Sequence, residues 1–301
     1  MTGATGVIGR SAVAALVAAG HDVVGLARTP EKARLLERLG ATPVQTRLED
    51  RAGLVQMFEG SDAVCNLATH IPVGYAAVRP RAWRQNDWLR TEGVRSVVAA
   101  AREAGVRRMV QESVSFIYAG NGDDWITERS PVEINRVTEP ASVGESHIQE
   151  YQCGSRYGVV LRFGTIVGDD PMTRWLLSSA ASGRAVAVGP PEGWVHLVHT
   201  DDLGQAVVAA LSAPSGTYNV GAEPVRRAEL VRGYAHAVGE QDAGYLGPLL
   251  RRLAGPRAEP LTRSLRVSSD RFTAATGWSP RRAEFDDSWF DVVGPRSGAY
   301  Q

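Results

Sequence analysis

A doubly wound α/β fold with a parallel sheet is what this sequence predicts, and three observations predict it. Glycines recur at Gly3, Gly6 and Gly9, directly ahead of an alanine- and valine-rich helical stretch at 11–19. Short apolar runs of strand type then alternate with helical runs through residue 168. No internal repeat or low-complexity segment interrupts them. Strands separated in this way by helices pair in parallel, with the helices covering both faces.

The opening Met1-Thr2-Gly3-Ala4-Thr5-Gly6-Val7-Ile8-Gly9 is a turn suited to a phosphate. Gly3 permits a tight turn after a strand, Gly6 lets the backbone approach a pyrophosphate, and Gly9 lets the helix pack close to the sheet. With Thr5, Val7 and Ile8 they present free amides at a helix N-terminus, where the dipole favours negative charge. A strand belongs before such a turn, and Met1 stands where it would end. The fold is therefore read with its first strand missing and the true start several residues upstream.

The strand at 22–27 ends in Arg28-Thr29-Pro30. A carboxylate at this distance from the glycines would bind a ribose 2′-hydroxyl, whereas Arg28, helped by Lys32, suits a 2′-phosphate. NADP(H) is accordingly expected over NAD(H). A helix at 30–40, a strand at 42–46, Leu48 beside the cofactor and a helix at 52–58 follow. The buried strand at 63–68 ends in small residues, and Ala68 and Thr69 would let the backbone pass beneath a cofactor. A long amphipathic helix at 83–104 places Val94, Val97, Val98 and Ala101 at helical spacing. The strand at 108–112, the helix at 143–152 and the strand at 158–163 complete the alternation. Glycine and proline punctuate 183–193, 239–248 and 255–260. Residues 1–168 thus read as a dinucleotide-binding Rossmann domain to which 196–216 returns. Segments 169–195 and 217–290 read as a small substrate lobe, and 291–301 as a tail.

Basic and acidic residues number 33 each, so the formal net charge is zero. Neither nucleic acid nor a membrane is an expected partner. No apolar run has the length of a membrane span and no signal peptide precedes the glycines, so a cytoplasmic location is expected. Cys65 and Cys153 have no metal-ligand spacing and are expected as buried thiols of a reducing compartment; no metal site is expected. Lys32 is the sole lysine.

The residues 2–9 are similar to the cofactor motif of the extended short-chain dehydrogenase/reductases, the NAD-dependent epimerase/dehydratase family. Asn66-Leu67-Ala68-Thr69 resembles that family's small-residue motif, and 93–110 its long helix and fifth strand. Trp125-Ile126-Thr127-Glu128-Arg129-Ser130-Pro131 resembles its acidic loop. Leu161-Arg162-Phe163-Gly164-Thr165-Ile166-Val167-Gly168 matches its sixth strand, with Phe163 where proline is usual. Val198-His199-Thr200-Asp201-Asp202-Leu203, Thr217-Tyr218-Asn219-Val220-Gly221 and Thr276-Gly277-Trp278-Ser279-Pro280 resemble the C-terminal signatures.

The resemblance implies a serine or threonine and a Tyr-x-x-x-Lys pair that move the proton, the lysine lowering the tyrosine pKa. Here Val143 stands in for the tyrosine and His147 for the lysine, and no other lysine exists to restore the pair. The family's serine position falls on Val114, flanked by Ser113 and Ser115. Arg47 sits where an acidic residue often contacts adenine. The chain resembles an atypical member with cofactor binding retained and the proton donor rearranged or lost.

Ser113 and Ser115 are candidate substrate contacts, or simple turn serines. Tyr118 is a candidate proton donor if its loop folds over the nicotinamide, and otherwise a structural aromatic. His147 is a candidate ribose ligand or general acid, or an exposed helix histidine. Glu145 is expected as a solvated helix charge and Asp201, next to His199, as a helix cap. Trp175, Arg184 and Trp194 lie where relatives bind substrate, and core packing accounts for them equally well. The leading reading is an NAD(P)-dependent oxidoreductase or epimerase-like enzyme that passes hydride to or from a carbonyl or carbinol of a small, sugar-like molecule. The alternatives are a non-catalytic NADP(H)-binding sensor and a remnant with neither activity. A homodimer would form through 83–104 and 143–152.

Overall fold

The glycine turn and the apolar runs around it build a parallel sheet centred on the first two residues. In a computed structural model of the chain, residues 1–247 and 258–293 are described. β1 (Val24–Leu26) pairs with β2 (Thr42–Val44). A four-stranded sheet runs in the order β3 (Ala63–Asn66), β4 (Arg108–Val114), β5 (Tyr157–Phe163) and β9 (Gly216–Val220), all parallel. Met1 and Thr2 join the two parts. Leu26 N donates to Met1 O (2.9 Å), Thr2 N to Cys65 O (3.0 Å) and Leu67 N to Thr2 O (3.2 Å). Two residues thus occupy the place of the central strand of a doubly wound sheet, between β1 and β3.

Local chemistry starts the helices at Pro30 and Arg51 within a residue of where the sequence places them, while those at Val7 and Glu139 start about a turn earlier than expected. α1 (Val7–Ala18) follows the glycine turn. Thr29 caps α2 (Pro30–Arg38), which has proline in its first turn, and Asp50 caps α3 (Arg51–Phe58) by accepting from Gly53 N. The single helix expected at 83–104 is instead three segments. α4 (Pro80–Trp88) passes through a π turn at Leu89–Gly93 into α5 (Val94–Glu103). Such a turn adds one residue without interrupting the helix, so the hydrophobic spacing gives no warning of it.

The two faces of the sheet carry separate cores. Beneath α1 and α8 (Thr200–Ala210) lie Ile8, Val13, Val110, Leu161, Leu203 and Val207. Beneath α3, α5 and α6 (Glu139–Tyr151) lie Leu54, Phe58, Val97, Met109, Ile148 and Val160. Adjacent Met109 and Val110 serve opposite cores, as the strand period of two requires. A third core forms where β6 (Thr165–Val167) pairs with β8 (Leu197–His199) and β7 (Trp194–Val195) pairs antiparallel with β10 (Val225–Arg226). α7 (Pro171–Ala180) and α9 (Arg227–His236) cover it, around Val167, Leu197, Leu230, Trp289 and Phe290.

The two cysteines differ from expectation. Cys65 is buried in β3, where burial pushes its thiol up to about 11, but Cys153 is exposed in the turn between α6 and β5. Residues 248–257 and 294–301, with most of the expected tail, lie outside the described residues. Among those described, no helix is long and apolar enough to cross a membrane.

His196, between β7 and β8, is 1% exposed, and neither ring nitrogen has a hydrogen-bond partner. Burial pulls its pKa from 6.5 down to about 3. The unfolded chain accepts a proton below pH 6.5 that the folded chain refuses until about pH 3. Stability is therefore complete above the upper value and falls as the pH drops between the two, by about 1.4 kcal/mol per unit. His196→Leu should lose several degrees less melting temperature than the wild type between about pH 7 and pH 5. Equal losses in the two proteins would show that another group governs the acid sensitivity.

Candidate functional site

The first turn is shaped by close approach. Gly3 has φ +65°, and a Cβ there would lie 2.5 Å from Ala68 N and overlap the Leu67 carbonyl. A Cβ at Gly9 would overlap Gly3 O and lie 2.7 Å from Ala4 C. Gly6 is different: it is exposed, and the nearest atom to a Cβ there is Gly3 O at 3.3 Å. The first and third glycines let backbone meet backbone, and the second leaves room for an arriving group. α1 has no side-chain cap, so its first amides face that room without a side-chain acceptor. Half-buried Thr5, Val7, Ala68 and Thr69 and buried Ile8 gather around the same turn. Leu48 is buried in the core beneath α3 and α5.

Two cations stand just beyond β1. Arg28 is exposed at the exit of β1. The Lys32 amine is held below its ordinary value, first by partial burial and then by the charge of Arg28. Neither pairs with a carboxylate of the described residues, Glu31 being turned to Arg34 at 3.9 Å. The glycine turn and the uncapped first amides of α1 fit the pyrophosphate of a bound nicotinamide dinucleotide.

β4 delivers Ser113 into a buried clamp. Ser113 Oγ donates to Glu145 Oε1 (2.5 Å), and Arg162 donates to the same carboxylate through Nε (2.9 Å) and Nη2 (2.6 Å). Strand register makes this possible, since Ser113 and Arg162 are direct partners across β4 and β5. The Arg162 guanidinium also lies 4.7 Å from the centre of the Tyr118 ring, and Tyr118 OH donates to Asn219 Oδ1 (2.8 Å). Tyr118 is fully buried, and burial pushes its phenol up to about 12 despite Arg162. Glu145, expected as a solvated charge, is 4% exposed. Gly144 lets α6 sit against the π turn, where a Cβ would lie 2.8 Å from Arg90 O. That close seating carries Glu145 into the interior.

A second buried pair lies nearby. Arg90 Nη2 is 2.8 Å from Glu112 Oε1, but Arg90 Nη1 and Glu112 Oε2 have no partner. With the pair incompletely bonded, burial holds the Glu112 carboxyl above the usual range. Arg90, Glu112, Arg162 and Asn219 escaped the sequence reading. A signal existed: Glu112 and Arg162 interrupt apolar strand runs, and a charge inside such a run needs a buried partner.

The other candidates separate. Ser115 is buried at the exit of β4, and its hydroxyl has no partner among the described residues. His147 is half-buried, 3.7 Å from Glu150, and is not part of the clamp; Val143 stands one turn earlier on the same face of α6. His199, not Asp201, caps α8, its Nδ1 accepting from Asp201 N at 3.2 Å. Trp194 donates to Asp123 and lies against Arg226 and Arg266, Trp175 meets Tyr75 edge-on at 5.9 Å, and Arg184 is exposed.

Parallel sheet, glycine turn and uncapped α1 together define a dinucleotide-binding protein of the doubly wound type. The profile of the NAD(P)H-binding family matches residues 3–214, and the chain belongs to that family. It is 31% identical over 98% of its own length and 98% of the other to a 3-diazoavenalumate denitrifying reductase of Streptomyces sp. It is 27% identical to the (4-alkanoyl-5-oxo-2,5-dihydrofuran-3-yl)methyl phosphate reductase of Streptomyces griseus, over 94% and 97% of the two chains. In fold it is similar to the UDP-glucose 4-epimerase of Thermus thermophilus solved with NAD. The TM-score is 0.74, with 22% identity and 93% of each chain covered. The epimerase/dehydratase resemblance read from the sequence therefore holds at the level of fold.

Glu145→Ala would strand the Arg162 guanidinium in the interior, and is expected to cost about 3–5 kcal/mol in denaturant unfolding. Adding Arg162→Met should restore most of the loss, because an apolar residue of similar length needs no counter-charge. A single variant within about 1 kcal/mol of wild type would mean that the clamp is open to water.

Proposed function

We propose that this NAD(P)-dependent oxidoreductase is an NADPH-using reductase for a small, strongly electrophilic substrate, with an aryl diazo or diazonium compound as the foremost class. The observation that carries the reading is the lack of an acidified phenol. α6 offers Val143 and His147 at the Tyr-x-x-x-Lys spacing, Lys32 is the sole lysine, and Tyr118 is buried and bonded to Asn219. Reduction of a simple carbonyl calls for a proton on oxygen as the hydride arrives, and burial holds Tyr118, the candidate donor, above its ordinary range. When bound, NADPH supplies the hydride, and an arenediazonium that accepts it yields the arene and dinitrogen without a proton from the protein.

The roles of the residues follow from their surroundings. Gly3, Gly6, Gly9 and the first amides of α1 hold the pyrophosphate, with Thr5, Val7 and Ile8 lining the turn. Arg28 and Lys32 take the 2′-phosphate, so that NADP(H) is preferred. Leu48, Ala68 and Thr69 border the adenosine and ribose side, and His147 reaches the ribose. Ser115, with its free hydroxyl, contacts the substrate, while Val143 gives an apolar wall where relatives place the phenol. Ser113 and Tyr118 serve as supports inside the clamp. The name of the first Streptomyces relative, a denitrifying reductase of a diazo compound, supports the diazo class, and the second is likewise named a reductase.

Calorimetric titration should find NADPH bound at least about tenfold more tightly than NADH, with Arg28→Ala removing the difference and leaving NADH unchanged. Gly6→Val should abolish binding of both while the protein remains folded. Mixed with an aryl diazonium carboxylate, the protein should consume NADPH and release dinitrogen. Deuterium carried on the cofactor should appear at the vacated ring carbon, and solvent deuterium should not. NADPH binding without consumption on diazo, enone and carbonyl substrates would leave the sensor reading in its place.

A further inference from the structure

Between α4 and the segment that leads into α6 the chain builds a cavity of about 220 Å³, walled by Arg81, Trp83, Arg84, Asp87, Arg136 and Val137. Many arginines of this chain are held by partners, including Arg51, Arg90, Arg162, Arg226 and Arg263. Arg81, Arg84 and Arg136 are not: among the described residues none of them has a hydrogen bond, an ion pair or an aromatic partner. Three exposed arginines therefore line one concave space whose walls contain a single carboxylate, Asp87. In a chain of zero net charge this is a local excess.

The walls are held in place. Trp83 Nε1 donates to Ala77 O at 2.8 Å, which fixes the indole. Asn135 Oδ1 accepts from Val137 N (2.9 Å) and Thr138 N (3.2 Å), and Asn135 Nδ2 donates to Glu259 (2.7 Å). That turn presents Arg136 on a rigid corner immediately ahead of α6. The cavity also adjoins the cofactor side. Asn86 of α4 accepts from His70 N at 3.2 Å, next to Thr69, and Val143 stands one turn into the helix that Arg136 and Val137 lead into. From His70 to α4 the chain exposes Ile71, Tyr75 and Val78.

We propose that this cavity is an anion subsite of the reductase, which takes the carboxylate of a small aromatic substrate. Guanidinium groups bind carboxylates through paired, charge-assisted hydrogen bonds, and Trp83 supplies a surface for a ring. The volume suits that cargo: a cavity of about 150 Å³ accepts a benzene ring, so this one has room for a ring and its carboxylate. The exposed apolar residues from 71 to 78 take the remainder of the molecule. The substrate assignment rests on the proposed reductase activity, whereas the anion site stands on the three arginines.

Cinnamate, its methyl ester and inorganic phosphate are suitable probes, read by tryptophan fluorescence and calorimetry on the whole protein with NADPH affinity as the folding control. Cinnamate should bind saturably and the ester at least tenfold more weakly. Arg84→Gln and Arg136→Gln should each weaken cinnamate at least fivefold and leave the ester and NADPH unchanged. Added salt should weaken the acid alone, and phosphate should compete with it. Equal binding of acid and ester, or arginine variants that bind as the wild type does, would overturn the subsite. Failure of every probe, with sedimentation showing a dimer, would overturn it and assign the arginines to a contact between copies. Cinnamate binding that persists where no substrate consumes NADPH would sink the reductase activity and leave the subsite standing.

Discussion

The structure depends on backbone meeting backbone at the first turn. Gly3 lies against the chain at Leu67 and Ala68, and Gly9 lies against Gly3 and Ala4, so the turn, the end of β3 and the start of α1 share one small volume. Any side chain there would push the helix off the sheet and the sheet apart at its centre, where only Met1 and Thr2 bridge β1 and β3. The same point anchors a polar chain across the strand ends: Thr2 bonds to Asn66, and Asn66 Nδ2 donates to Gln111 Oε1 at 2.8 Å. Position of the cofactor turn and position of the β4 terminus are thus one property.

What the sequence disclosed was what short-range patterns encode. Glycine spacing located the turn, and alternating apolar runs located the strands of the first half to within a few residues. Long-range pairing was opaque. Glu145 looks like any helix carboxylate until the register places Arg162 opposite Ser113, and no local pattern contains that register. His199 displaced Asp201 as a cap because a buried imidazole reached the amide first. Cys153 looked like Cys65 in composition and differs from it only by lying in a turn. Of the named site residues, Ser113 and Tyr118 both meet the Arg162–Glu145 pair, and the sequence could not say which hydroxyl was already engaged.

The charged groups around β4 are buried and paired. Glu145 with Arg162, and Glu112 with Arg90, are fixed charges that bracket β4 and hold its end still. Buried pairs of this kind are poor sources of stability, since the desolvation of both partners offsets their attraction. Their contribution is geometric: they tie β4 to the π turn, to α6 and to β5.

The π turn between α4 and α5 has an architectural consequence. An α-helix advances about 100° per residue, so the one extra residue at Leu89–Gly93 sets the azimuth of everything N-terminal to it. Removing it would swing Arg81 and Arg84 a quarter-turn around the helix while α5, β4 and the cofactor turn stayed where they are. Gain or loss of a single residue here is therefore a way for such a scaffold to diverge in substrate without disturbing how it holds its nucleotide.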